Sequence, residues 1–121
     1  MEFSVNKPIF KQIVDWCLGR IVAGEWQQGQ KLPSARELSV EMAVNLHTIL
    51  KAYEILERNE IIYSRRGMGF FVADNAAGLA DNYLRREFFD NELADTFGRL
   101  ASMGIGPDEL SQAYREYLER K

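Results

Sequence analysis

Three short clusters hold most of the side-chain chemistry of this chain: Ser34-x-Arg36, Asn45-x-His47-Thr48-x-x-Lys51 and Arg65-Arg66-Gly67. They supply cations, hydroxyl and amide groups and, at Gly67, open backbone. Such groups recognise phosphate oxygens and the edges of bases. They are poorly suited to making or breaking bonds. His47 is the only histidine and Cys17 the only cysteine. No catalytic triad, zinc-ligand set, P-loop or G-x-G-x-x-G motif is present. Gly67-x-Gly69 is too short for a phosphate cradle, and Asp90, Glu92 and Asp95 read as the wet side of a helix. The expectation is therefore a protein that binds, with no catalytic residue, cofactor or metal.

Those clusters need elements to hold them. Pro8 suits a first helical turn, and Ile9, Ile13, Trp16, Cys17, Arg20 and Ile21 recur at helical spacing, with Gly24 as terminator. Glu25 to Pro33 read as a connector, with Gly29 as its turn and Trp26 and Leu32 tucked onto the core. Ser34-Ala35-Arg36-Glu37 reads as a capping box opening a helix of two to three turns. Asn45 is a good N-cap for the next helix, from Leu46 to about Asn59. At 100° per residue its Ile49, Ala52, Tyr53 and Leu56 face inward, while His47, Lys51, Glu54 and Arg58 face outward. Glu60–Tyr63 and Phe70–Val72 read as strands, with S-R-R-G-M-G as the turn between them. Helix, tight turn, helix, hairpin is the order of a winged helix-turn-helix, which sets one helix in a DNA groove and a loop beside it.

Composition sets limits. The chain has 121 residues and a net charge of −3, and 46% of its residues are hydrophobic. Residues 1–75 carry nine Lys/Arg against nine Asp/Glu, and residues 76–121 carry six against nine, so the negative excess lies in the tail. A locally positive surface is enough for DNA, but a strongly basic binder is excluded, and modest non-specific affinity with reliance on dimerisation is expected. No apolar run reaches the ~20 residues that cross a bilayer, and no secretory signal is visible. One cysteine allows no internal disulfide, and Cys17 reads as core filling. A cytoplasmic protein is expected, with no membrane partner.

Asp74–Gly78 reads as a linker, Leu79–Met103 as one long amphipathic helix, and Pro107 as the start of a last one. Leu79, Tyr83, Phe89, Leu93, Phe97 and Leu100 form one apolar stripe, and Leu110 and Tyr114 belong to another. Two helices cannot bury two such faces alone, so the same hairpin from a second chain is the expected cover. The aromatics Tyr83, Phe88, Phe89, Phe97, Tyr114 and Tyr117 are expected to pack in that dimer rather than line a pocket for an unknown small-molecule effector. The fold class expected is mainly α with a small hairpin wing. Residues 1–75 form the winged domain, and 76–121 a helical hairpin for dimerisation.

P-I-F-K-Q-I-V-D, A-G-E-W-Q-Q-G-Q-K-L-P-S-A-R-E-L, A-V-N-L-H-T-I-L-K-A-Y-E-I-L-E-R-N-E-I-I and R-R-G-M-G-F-F-V occur in that order. From Pro8 to Val72 the chain closely resembles the GntR family of bacterial transcription regulators, and its short tail and the Ala-Tyr of the third helix resemble the YtrA-type branch. The resemblance implies a homodimer on a pseudo-palindromic operator in double-stranded DNA, usually as a repressor. It also implies that Ser34 and Arg36 match a DNA-contacting S-x-R, that Asn45, His47 and Thr48 open the recognition helix with Lys51 one turn on, and that Arg65, Arg66 and Gly67 form the wing. The chain departs from the family pattern at Leu46, Leu50 and Glu60, the last in place of a common glycine. Leu46 and Leu50 suit thymine methyls rather than hydrogen-bonding base edges. A winged helix that binds another protein without DNA is the second reading, favoured by the pI of 5.2 and the apolar tail.

Overall fold

The computed structural model describes residues 2–121, which divide into two compact units, residues 2–84 and 85–121. In the first unit, α1 (Ile9–Val22), α2 (Ala35–Met42) and α3 (Leu46–Arg58) precede a hairpin of β1 (Ile62–Arg65) and β2 (Gly69–Val72). α3 packs on α1, α2 and β1. The core is the inward stripe of each: Ile13, Cys17, Leu18 and Ile21 from α1, Leu38 from α2, and Ile49, Ala52, Tyr53 and Leu56 from α3. Trp26 and Leu32 also tuck in. Arg20 shares α1's apolar side because its guanidinium lies over the Trp16 ring, 4.6 Å from the centroid, and reaches Glu25 at 2.7 Å. Burial raises the Cys17 thiol to about 12, so it stays protonated at neutral pH and acts as a small hydrophobe.

Both side-chain caps read from the sequence are present. The Ser34 hydroxyl accepts from the Glu37 N–H at 3.0 Å, and the Glu37 carboxylate accepts from the Ser34 N–H at 3.0 Å. These bonds hold the Glu37 carboxyl below its ordinary range. Asn45 caps α3 by accepting from the His47 N–H at 2.8 Å.

Several helix ends share a geometry. After α1, Gly24 turns left-handed at φ 80°, its N–H donating to the Ile21 carbonyl while the Glu25 N–H reaches that of Arg20. After α2 and α3 the same paired bonds form, with Ala43 (φ 55°) and Glu60 (φ 62°) in the left-handed position. This is the Schellman arrangement, which favours glycine. A side chain there costs ~1–2 kcal/mol, and glycine costs ~0.5–1 kcal/mol in unfolded-chain entropy. Ala43→Gly and Glu60→Gly are therefore each expected to stabilise the first unit by up to about 1 kcal/mol in urea titrations. A loss of stability in both would refute this account of the turns.

β1 and β2 pair antiparallel, Ile62 opposite Val72, Tyr63 opposite Phe71 and Arg65 opposite Gly69. The connector supplies a further edge. The Leu32 N–H donates to the Phe70 carbonyl at 2.8 Å, the Val72 N–H to that of Gln30 at 2.9 Å, and Lys31 bridges Phe71.

The expected linker is shorter than read. α4 (Ala76–Glu87) begins inside it because Ala76 and Ala80 are buried in the first unit's core, with Leu79, Tyr83 and Leu84 packed against them. Leu79 and Tyr83, expected on the tail stripe, are partly buried against this core. The long helix is also not uniform. A π-helical segment, Phe88–Leu93, separates α4 from α5 (Ala94–Ser102). Here the Asn91 side-chain amide donates to the Glu87 carbonyl at 3.0 Å, the acceptor an α-helical Asn91 N–H would use. In the second unit α6 (Pro107–Glu119) follows, with Gly106 as N-cap and Pro107 in its first turn. Neither the π segment, α5 nor α6 has a buried residue, and Phe88, Phe89, Phe97, Tyr114, Tyr117 and Leu118 are about half exposed.

Candidate nucleic-acid interface

The first unit places each expected recognition residue on a rigid support. Arg36 is the second residue of α2, inside the Ser34–Glu37 capping box, with its side chain in solvent. Asn45 is the α3 cap. The first turns of α3 expose His47, Leu50 and Lys51, whereas Leu46 and Thr48 on the flanks are half-buried. The buried side of α3 is seated on α1 and α2, so the direction of its outer side is set by packing.

Lys51 is not simply free. Its ammonium sits 4.0 Å from the centroid of Phe10, and His47, Leu50 and Lys51 line an open groove with Phe10 of α1. The contact fixes the lysine's direction without neutralising its charge. Sequence periodicity could not reveal this, because Phe10 belongs to another helix.

The wing also differs from the reading of two arginines at a tip. Arg66, Gly67 and Met68 make the turn, closed by the Met68 N–H donating to the Arg65 carbonyl at 2.9 Å. Gly67 takes φ 76° there, a conformation that side chains resist. Arg65 ends β1, with its guanidinium over Phe71 at 5.4 Å and Tyr63 at 5.8 Å. Those two rings stack at 5.7 Å.

Two ties hold helix and wing in register. The Tyr53 hydroxyl donates to the Pro33 carbonyl at 2.7 Å, and its ring meets Phe70 edge-on at 5.2 Å. One α3 side chain thereby joins the entry to α2 and strand β2. Ser64 of β1 donates to the Glu57 carboxylate of α3 at 2.8 Å.

Lys31 was missed by sequence reasoning, which treated its segment as connector. Its bridge to Phe71 puts it on the outer side of the sheet with Arg65. Among the described residues, no carboxylate forms an ion pair with Lys31, Arg36, Lys51, Arg65 or Arg66. No cluster of three metal-ligating side chains occurs among those residues, and no helix is long and apolar enough to cross a membrane.

A capped short helix, a tight turn, a second helix with an exposed polar start and a pinned hairpin define a winged helix-turn-helix. Comparisons with known proteins agree. The model of the bacterial regulatory proteins of the gntR family matches residues 10–72, and the chain belongs to this family. It is 32% identical over 118 residues to the HTH-type transcriptional regulator YhcF of Bacillus subtilis, covering 98% of this chain and 96% of that protein. It is 41% identical over 71 residues to the HTH-type transcriptional repressor YtrA of the same species, covering 59% of this chain and 55% of YtrA. Among solved structures, a GntR family transcriptional regulator from Listeria monocytogenes superposes with a TM-score of 0.73 at 32% identity, covering 94% of this chain and 98% of that one. The DNA-binding domain of AraR in complex with an operator superposes with a TM-score of 0.55 at 32% identity, over 60% of this chain and 88% of that chain. The chain is thus a transcriptional regulator of the YtrA-like kind, and its family consists of regulators rather than enzymes.

Proposed function

We propose that the chain represses transcription by binding, as a homodimer in the cytoplasm, a pseudo-palindromic operator in duplex DNA. One observation carries the reading. The buried side of α3 is locked to α1 and α2, while its start, Arg36 and the wing arginines stay exposed and unpaired with carboxylates. In this reading Arg36, His47, Thr48 and Lys51 approach base edges and nearby phosphates. Ser34, Asn45, Arg65, Arg66 and the Gly67 backbone hold the sugar–phosphate chain. Leu46 and Leu50 favour sites with thymine methyls opposite them. The operator complex of the AraR domain supports the mode of binding, and the repressor YtrA supports the sign of regulation. Dimerisation is assigned to Phe89, Leu93, Phe97 and Leu100, with Leu110 and Tyr114 of α6.

The test is a titration of DNA from upstream of the chain's own gene at several salt concentrations. Binding is expected to weaken steeply with salt, and Arg36→Ala to cost ~1–3 kcal/mol, or about 5- to 150-fold in affinity. An affinity indifferent to both salt and Arg36 would refute the proposal. It would favour a winged helix that binds protein.

A further inference from the structure

The wing is a sheet with two unlike faces, and the second has no assigned role. Alternation along the strands sends Ile62, Val72 and Leu32 into the core, where all three are buried. The same alternation puts Tyr63, Phe71 and Lys31 side by side on the outer face, since Tyr63 and Lys31 both stand opposite Phe71. Two residues along, Arg65 stands opposite Gly69 on that face.

Gly69 leaves room for the Lys31 stem on that face. A Cβ there would lie 3.2 Å from the Lys31 Cε and 4.0 Å from its Nζ, so the lysine stem runs over the bare glycine, the residue paired with Arg65. Any side chain at this position would crowd it, and φ 108° is itself a glycine conformation. Arg65 is held from below by the Tyr63 and Phe71 rings. Lys31 and Arg65 thus share this exposed face, neither in a direct ion pair with a carboxylate among the described residues, and Glu37 is the acid that feels the Lys31 charge. Like charges brought together on a strand pair oppose folding unless an anion joins them.

We propose that Lys31 and Arg65 form a clamp for one DNA backbone phosphate, seated over Gly69 on the outer face of the wing. This rests on the DNA-binding reading above and adds to it a contact from outside the helix-turn-helix and the hairpin tip. A duplex phosphate fits better than a base edge. The donors are point-like or forked cations on a flat sheet, and the aromatic pair beneath them closes the face to deeper entry. The contact carries no sequence preference, and it sets the angle at which the wing meets the duplex.

The experiment compares the unaltered chain with Lys31→Met and Lys31→Arg on a selected operator duplex and on a scrambled duplex, each titrated from low to moderate salt. Methionine keeps the stem over Gly69 and removes the charge. Its loss is expected to weaken both duplexes by a similar several-fold factor and to reduce the slope of log K against log salt by about one per subunit bound. Lys31→Arg is expected to restore both. Circular dichroism melting of each variant reports that the fold is intact. An unchanged slope for Lys31→Met, or a loss confined to the operator, overturns the clamp while leaving the DNA-binding reading in place. If the unaltered chain binds neither duplex, the DNA reading fails and the clamp with it.

Discussion

Tyr53→Ala is expected to lower the unfolding free energy of the winged unit by about 3–5 kcal/mol, the range for removing a buried aromatic ring. That is a large share of the ~5–15 kcal/mol that holds a typical domain folded. Tyr53 is fully buried and touches the pieces that must move together for recognition. Its ring packs edge-on against Phe70 of β2, and its hydroxyl caps the Pro33 carbonyl just before α2. Alanine would leave a cavity beneath the recognition helix and orphan that carbonyl. Tyr53→Phe separates the two effects and is expected to cost about 1 kcal/mol, the net worth of one buried hydrogen bond. Urea titration measures both, with the midpoint falling and the slope preserved. A cost below 1 kcal/mol for the alanine variant would contradict the role given to this side chain.

The second large effect is expected in the tail. Phe97→Glu should convert the proposed dimer to monomers and weaken operator binding by roughly 100-fold or more, since linked half-sites gain about that much from effective concentration. Phe97 is 47% exposed on α5, and neither α5 nor α6 buries a residue of its own. A carboxylate set into an apolar dimer seam must be desolvated without a partner, and the seam opens instead. Because Phe97 lies in the second compact unit, the urea midpoint of the first unit should not move. Sedimentation gives the oligomeric state and a titration the affinity. A variant that stays dimeric with undiminished affinity would show that another surface pairs the chains.

What the sequence made legible was local. The capping box at Ser34 and Glu37, the Asn45 cap, the inward set Ile49, Ala52, Tyr53 and Leu56, and the glycine turn at Gly67 all depend on residues within a turn or two of one another. What it hid depended on distant partners. Lys31 looks like connector until Phe71 is placed beside it. Lys51 reads as solvated until Phe10 is brought under it. Asp74–Gly78 has a linker's composition, yet Ala76 and Ala80 are small because they press into a packed core. That small size made α4's first turn read as linker. The step from Tyr83 to Phe89 did carry a signal. A gap of six breaks the spacing of three and four, and the π segment begins at Phe88. The candidate site was legible as a set of residues, because its polar groups cluster near helix starts and a turn. Its supports were not, because Tyr53–Pro33 and Ser64–Glu57 span separate elements.

Selection of duplexes from a randomised library by the unaltered chain, at low ionic strength, bears most directly on the central claim. The account predicts enrichment of two inverted half-sites about one helical turn, ~10 bp, apart, protected together in a footprint and released by raised salt. Retention of no duplex by a chain that sediments as a monomer would contradict it.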